Sequence, residues 1–151
     1  MQLSINIPTR AQIINGGFPV NISAAGGTWL KSQLGDYANK SGVYIFHANR
    51  KIRYVGKTTQ GPFGTFGERL RRHCQKAASG NSSLYRCLTK QSATVFVYLF
   101  DLQDIEMMID QGPMTLSAVR KALIMEQTLI GIFEPPENKA DAPAEPGATT
   151  A

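Results

Sequence analysis

The sequence predicts a small α/β domain: a mixed three-stranded sheet flanked by helices, with an N-terminal extension ahead of it. Three observations lead there. Residues 41–56, SGVYIFHANRKIRYVG, hold two β-rich runs around a short polar gap, the pattern of a β-hairpin. Residues 94–101 are apolar on both faces, which suits a strand in the sheet centre. Residues 115–133 repeat apolar side chains at helical spacing and end at Pro135 and Pro136.

The chain has 151 residues, room for one domain with a core but not for two. No apolar run approaches membrane-spanning length, and the start, MQLSINIPTR, lacks the pattern of a secretory signal. Cys74 and Cys87 are the only cysteines, without the spacing of a zinc site or a disulfide framework. A cytoplasmic protein with no membrane partner is therefore expected. The net charge of +5 is unevenly spread. Residues 41–100 hold ten Lys/Arg against one Glu, whereas 101–151 hold three against nine Asp/Glu. Such a basic block is either a polyanion-facing surface or a solvated face.

The extension, residues 1–40, is the least informative part. Leu3, Ile5 and Ile7 alternate with polar residues and suggest a strand stopped by Pro8. A second strand within 12–23 and a short helix over 28–37, carrying Trp29, Leu30 and Leu34, are expected. Capping a sheet edge, forming a homodimer arm and contacting substrate are equally open roles. In the hairpin, a three-residue loop would set His47 against Lys51 and Tyr44 against Tyr54, with both phenols on one face. Val43, Ile45, Arg53 and Val55 would occupy the other face. Two such tyrosines are also ordinary strand aromatics.

Gly56-Lys57-Thr58 is not a phosphate-binding loop, because Lys51 stands where that motif needs its first glycine. Thr65 and Glu68 have capping-box spacing and open a helix running to Gly80. Arg69 and His73 share a face of it; Arg71, Arg72 and Lys76 are candidates for general phosphate contacts. Asn81, Ser82 and Ser83 suggest the cap of a short helix reaching Lys90, and 101–111 a short helix or loop. On the 115–133 helix, Val119, Ala122, Leu123, Leu129, Ile130 and Phe133 cluster around Glu126, placing a carboxylate mid-stripe. There it needs a cation, a salt bridge to Arg69, or protonation. Asn138 is expected in a loop, and 141–151 as a disordered tail after a domain spanning 41–140.

Gly42-Val43-Tyr44 followed by Tyr54-Val55-Gly56 resembles the paired signature of the GIY-YIG nucleases, with Val43 where isoleucine is usual. The resemblance runs on through Lys57, the run GERLRRH at 67–73, Glu126 and Asn138, in the family's order. It implies a Mg²⁺-dependent endonuclease hydrolysing phosphodiester bonds in DNA, with Mn²⁺ able to substitute. It implies Tyr44 as general base or water-positioning group, Tyr54 as its neighbour, and His73 as a group that relays the proton or orients Tyr44. Glu126 would hold the metal and Arg69 would fork onto phosphate oxygens. Lys57 would add positive charge, and Asn138 would position the metal shell or the backbone. Lacking the cysteine-rich module of the family's resolvases and the DNA-reading domain of its homing enzymes, the chain is expected to be a compact stand-alone member. The alternative is a non-catalytic nucleic-acid-binding module that keeps the fold.

Overall fold

The computed structural model describes residues 2–20, 31–59, 64–74, 84–86, 88, 94–112 and 115–139. The helix cap expected at residues 81–83, Trp29 and Leu30, Lys76 and the tail at 141–151 lie outside the described residues.

The hairpin forms as β3 (Gly42–Ala48) and β4 (Lys51–Thr58), but its register differs from the expected one. The turn has two residues, Asn49 and Arg50, both with positive φ (52° and 62°). That is the backbone a tight hairpin turn demands. Ala48 therefore opposes Lys51 and His47 opposes Ile52, until a bulge makes Arg53 the extra residue. Past the bulge, Phe46 opposes Tyr54 and Tyr44 opposes Gly56. Relative to the expected pairing, β4 has slid by two residues near Tyr44. A two-residue slide leaves every side chain on its face. Tyr44 and Tyr54 thus share a face after all, while Arg53 departs at the bulge.

The sheet also differs from the predicted one. It has four strands in the order β2–β5–β3–β4, with β2 at Phe18–Val20 and β5 at Val95–Asp101, and every pairing is antiparallel. The fourth strand comes from the N-terminal extension, which covers part of the β5 edge. The extension's first strand, β1 (Ser4–Ile5), pairs separately with β6 (Ile109–Asp110). Of the span 12–23 where a second strand was expected, residues 12–14 belong to helix α1 (Arg10–Ile14) and the strand is confined to β2. Thr9 accepts from the Gln12 backbone and the Gln12 side chain returns the bond, so local capping overrides an ambiguous apolar pattern.

Helices cover both faces. On one, Tyr44, Phe46, Tyr54, Val97 and Leu99 pack under α2 (Phe66–His73) and a 3₁₀ segment (Lys31–Asn39) that supplies Leu34. This segment, kinked at Gly35, stands where the 28–37 helix was expected. On the other, Val43, Ile45, Val55 and Phe100 pack against α1, α3 (Leu102–Met108) and α4 (Ala118–Phe133). Thr65 caps α2 as expected, accepting from Glu68 N. Ser117 caps α4, and Glu134, in the left-handed region, ends it ahead of the two prolines. Asn138 sits not in a loop but in a final helical turn, α5 (Pro136–Lys139). Among the described residues no helix is long and apolar enough to cross a membrane.

Candidate active site

Gly42 and Gly56 shape the site before any polar group does. A Cβ at Gly42 would overlap the Phe100 carbonyl, and one at Gly56 would overlap the Tyr44 hydroxyl and Cζ. The first lets β3 close on β5; the second leaves room on β4 for the end of the Tyr44 side chain. Tyr44 has no exposed surface, and its hydroxyl lies 2.7 Å from His73 Nε2. The Tyr54 ring stands 6.2 Å from that of Tyr44 and 5.4 Å from that of His73, and Phe66 meets Tyr44 edge-on at 6.5 Å. Both tyrosines and His73 are therefore one packed cluster on one face.

His73 is neutral. Burial and the positive charges of Arg69 and Arg72 push its pKa down to about 3. Its Nδ1 is buried without a hydrogen-bond partner among the described residues. Arg71 is exposed on the opposite side of the helix, whereas Arg72 is half-buried and close enough to act on His73. Of the two arginines expected to make general phosphate contacts, Arg71 is exposed and Arg72 lies close to the tyrosine–histidine cluster.

Glu126 occupies a different setting from the expected one. The buried stripe of α4 is Lys121, Ala122, Met125 and Leu129, while Leu123 is 38% exposed and Glu126 half-buried at the rim. Lys121 lies in this stripe, its stem buried and its ammonium 3.3 Å from the exposed Glu106. Burial raises the Glu126 pKa, opposed by the Gln127 side chain at 3.1 Å and by the charges of Lys57 and Arg69. Arg69 thus acts electrostatically on both His73 and Glu126, and links the helix-borne carboxylate to the tyrosine cluster.

Among the described residues no group of three or more His, Cys, Asp or Glu comes together to cage a metal. A single half-buried carboxylate still fits Mg²⁺, which keeps several waters and takes one or two carboxylates plus substrate phosphate.

Asn138 stands apart from this cluster and does structural work. Its Oδ1 accepts from Val55 N–H and its Nδ2 donates to Val55 C=O, both at 2.7 Å. β4 is the outer strand, so this amide pairs with its free edge as a neighbouring strand would. Beside it, Arg53 and Glu137 form a 2.7 Å ion pair with the carboxylate buried. Neither the Arg53–Glu137 pair nor the fit of Tyr44 over Gly56 is readable from the sequence. The run PPENK, which stops α4 and at once offers three polar side chains, does not say which of them reaches Arg53.

No family model matches the chain, and no curated protein matches it significantly in sequence.

Proposed function

We propose that this protein is a metal-dependent endonuclease of the GIY-YIG type that hydrolyses phosphodiester bonds in DNA. The observation that carries the reading is the Tyr44–His73 contact beneath Arg69, with Glu126 in the same electrostatic neighbourhood. A structural core has little reason to hold a neutral histidine against two arginines. A phosphodiester site has one.

The arginines keep His73 neutral while no anion is present. A DNA phosphate beside Arg69 and Arg72 offsets their charge, so the His73 pKa rises toward its ordinary value. His73 Nε2 can then accept the Tyr44 proton, and the resulting phenolate takes a proton from the attacking water. The water oxygen bonds to phosphorus as the bond to the leaving 3′ oxygen breaks; the 3′ oxyanion takes a proton from solvent, and His73 returns its proton to solvent afterwards. Arg69 and Lys57 stabilise charge on the non-bridging oxygens. A Mg²⁺ or Mn²⁺ ion held by Glu126 would supply Lewis-acid stabilisation of the leaving oxygen. Tyr44 is enclosed in the resting structure, so substrate entry has to open the cover over its hydroxyl. Asn138 is a positioning residue that sets the backbone of β4 next to Gly56 and Lys57. Arg71 supplies a general phosphate contact from the exposed side of α2, with Lys76 assigned the same role from sequence.

The test is incubation with supercoiled, linear and single-stranded DNA, with and without Mg²⁺. Cleavage that requires Mg²⁺ and is lost in Tyr44→Phe supports the reading. DNA binding without cleavage in any metal would favour a non-catalytic binding module instead.

A further inference from the structure

The N-terminal extension and the core together enclose a cleft of about 520 Å³. From the extension, Asn6, Ile7 and Tyr37 line it; from the core, Tyr98 and Phe100 of β5 and Asp104 of α3. Asn6 N–H donates to Met108 C=O at 2.8 Å and continues the β1–β6 pairing, which fixes that wall against α3. The backbone edge of β5 is closed here. Gly17 packs so near Val97 C=O that a Cβ on it would come within 2.7 Å of the oxygen, and the Asp104 carboxylate accepts Asp101 N–H at 3.0 Å. What the cleft offers a ligand is therefore side chains.

Asp104 is the single charged residue among the described residues lining the cleft, on a chain of net charge +5. One of its oxygens is taken by Asp101 N–H; the other has no ion-pair or hydrogen-bond partner among the described residues. The neighbouring carboxylate, Asp101, is already neutralised. Lys40 reaches it at 3.2 Å while its ammonium lies 5.0 Å from the centre of the Tyr37 ring. A carboxylate beside an aromatic ring thus holds one ammonium nearby. Asp104 repeats that pairing, with Tyr37, Tyr98 and Phe100 around the cleft. Burial raises the Tyr37 pKa, the Asp104 and Asp101 carboxylates add to the rise, and Lys40 opposes it. Asp104 and the Tyr37 hydroxyl therefore act on the same space.

We propose that this cleft binds a small organic amine, its primary ammonium at Asp104 and its compact apolar or aromatic body among Phe100, Tyr98, Ile7 and the methionines. A concave, mostly apolar site with a few convergent polar groups is the usual form of a small-molecule site. The donor count selects the cation. One free carboxylate oxygen suits an ammonium N–H, whereas a guanidinium fork needs two, and a quaternary ammonium brings no donor. A hard metal ion would have to give up water to apolar walls for a single oxygen. Met107 and Met108 line the body's side of the cleft with flexible, polarisable thioethers that adapt to its shape. Asp104 repels phosphate, so the cleft is distinct from any DNA-facing surface. The proposal gives the N-terminal extension a role and does not depend on the hydrolytic reading.

The probe is 2-phenylethylamine, titrated into the full chain and followed by amide and methionine-methyl resonances. Saturable shifts at Tyr37, Tyr98, Asp104 and Met107 are expected, with a dissociation constant of about 1 mM or lower. The neutral 2-phenylethanol and the anionic 3-phenylpropanoate should bind at least severalfold more weakly. Asp104→Asn keeps an acceptor for Asp101 N–H and removes the charge, so it should weaken the amine by about two- to fivefold. Met107→Lys, at a position 83% exposed, sets a competing cation at the cleft and should weaken the amine without altering the fold. That variant decides the matter should Asp104→Asn destabilise α3. Equal binding of the alcohol overturns the proposal, as do shifts centred on Glu126 or no saturation by 10 mM, roughly tenfold above the expected constant. Tighter binding of N-acetyl-lysine methylamide than of phenylethylamine would also overturn it, in favour of a lysine side chain from a protein.

Discussion

Replacing Asn138 by alanine separates a positioning role from a catalytic one. The wild-type amide makes two 2.7 Å bonds to a single residue, Val55, which is 1% exposed. Each such bond contributes about 1 kcal/mol net, and a backbone group left unsatisfied out of water costs roughly 1–3 kcal/mol. Both groups lie at the sheet edge, where water can replace some of what is lost, so the lower half applies and the loss is about 2–3 kcal/mol. That is a large share of the ~5–15 kcal/mol holding a domain of this size together. Urea unfolding should show it as a lower midpoint at unchanged slope, and the Val55 amide should exchange faster. Displacing β4 also disturbs Gly56 and Lys57, so cleavage by the folded fraction should fall by about ten- to a hundredfold. Asn138→Asp keeps the acceptor for Val55 N–H but sets a carboxylate against Val55 C=O, so it should be no more stable than the alanine variant. Wild-type stability combined with a collapse of kcat would place Asn138 at the reacting phosphate and refute the positioning role.

Other perturbations test the remaining parts. Gly56→Ala should break the Tyr44–His73 contact and cost roughly 1–3 kcal/mol, because the new Cβ occupies the space of the Tyr44 hydroxyl; wild-type unfolding and cleavage would refute that fit. Glu126→Gln should unfold at higher urea than wild type at pH 8 without metal, since burial raises the pKa of this carboxylate and its charged form is the costly one. The same variant should lose Mg²⁺-dependent cleavage by several powers of ten while still binding DNA; near-normal cleavage would remove Glu126 from the metal site. The depressed His73 pKa means the unfolded chain binds a proton that the folded chain refuses between pH 6.5 and about 3. The stability this confers is complete above pH 6.5 and lost as pH falls, so His73→Gln should flatten the acid limb of the stability profile. Arg71→Ala should weaken DNA binding and lower its salt slope by about one, whereas an unchanged slope would make Arg71 a solvated side chain.

What the sequence made legible in the hairpin depended on parity more than on register. A three-residue loop and a two-residue turn followed by a bulge look alike in SGVYIFHANRKIRYVG, because nothing there says which residue is unpaired. The positive φ of Arg50 has no signature in its residue type. Yet both pairings keep Tyr44 and Tyr54 on one face, so the expected neighbourhood survived an incorrect register. The strand at β5 was legible for a simpler reason: its neighbours cover both faces, and the apolar run says so directly. A strand within 12–23 was expected, but its place in the sheet was not legible, because Phe18–Val20 is three residues long and contains a proline. Only the ladder with β5 shows where it pairs.

Glu126 marks where pattern reading fails on physical grounds. A helical wheel counts apolar residues only, so the stripe read on α4 left Lys121 out and centred on Glu126. The structure buries that side chain to 3% exposure and lets its ammonium reach Glu106 at the surface. With Lys121 in the buried stripe, Met125 rather than Glu126 faces the core. A carboxylate at the middle of a sealed stripe would be reachable by neither metal nor phosphate. At the rim, Glu126 keeps enough burial to raise its pKa and enough access to meet an ion, with Lys57 and Arg69 acting on it electrostatically. Desolvation pushes the Glu126 pKa up, and the charges of Lys57 and Arg69 oppose that rise.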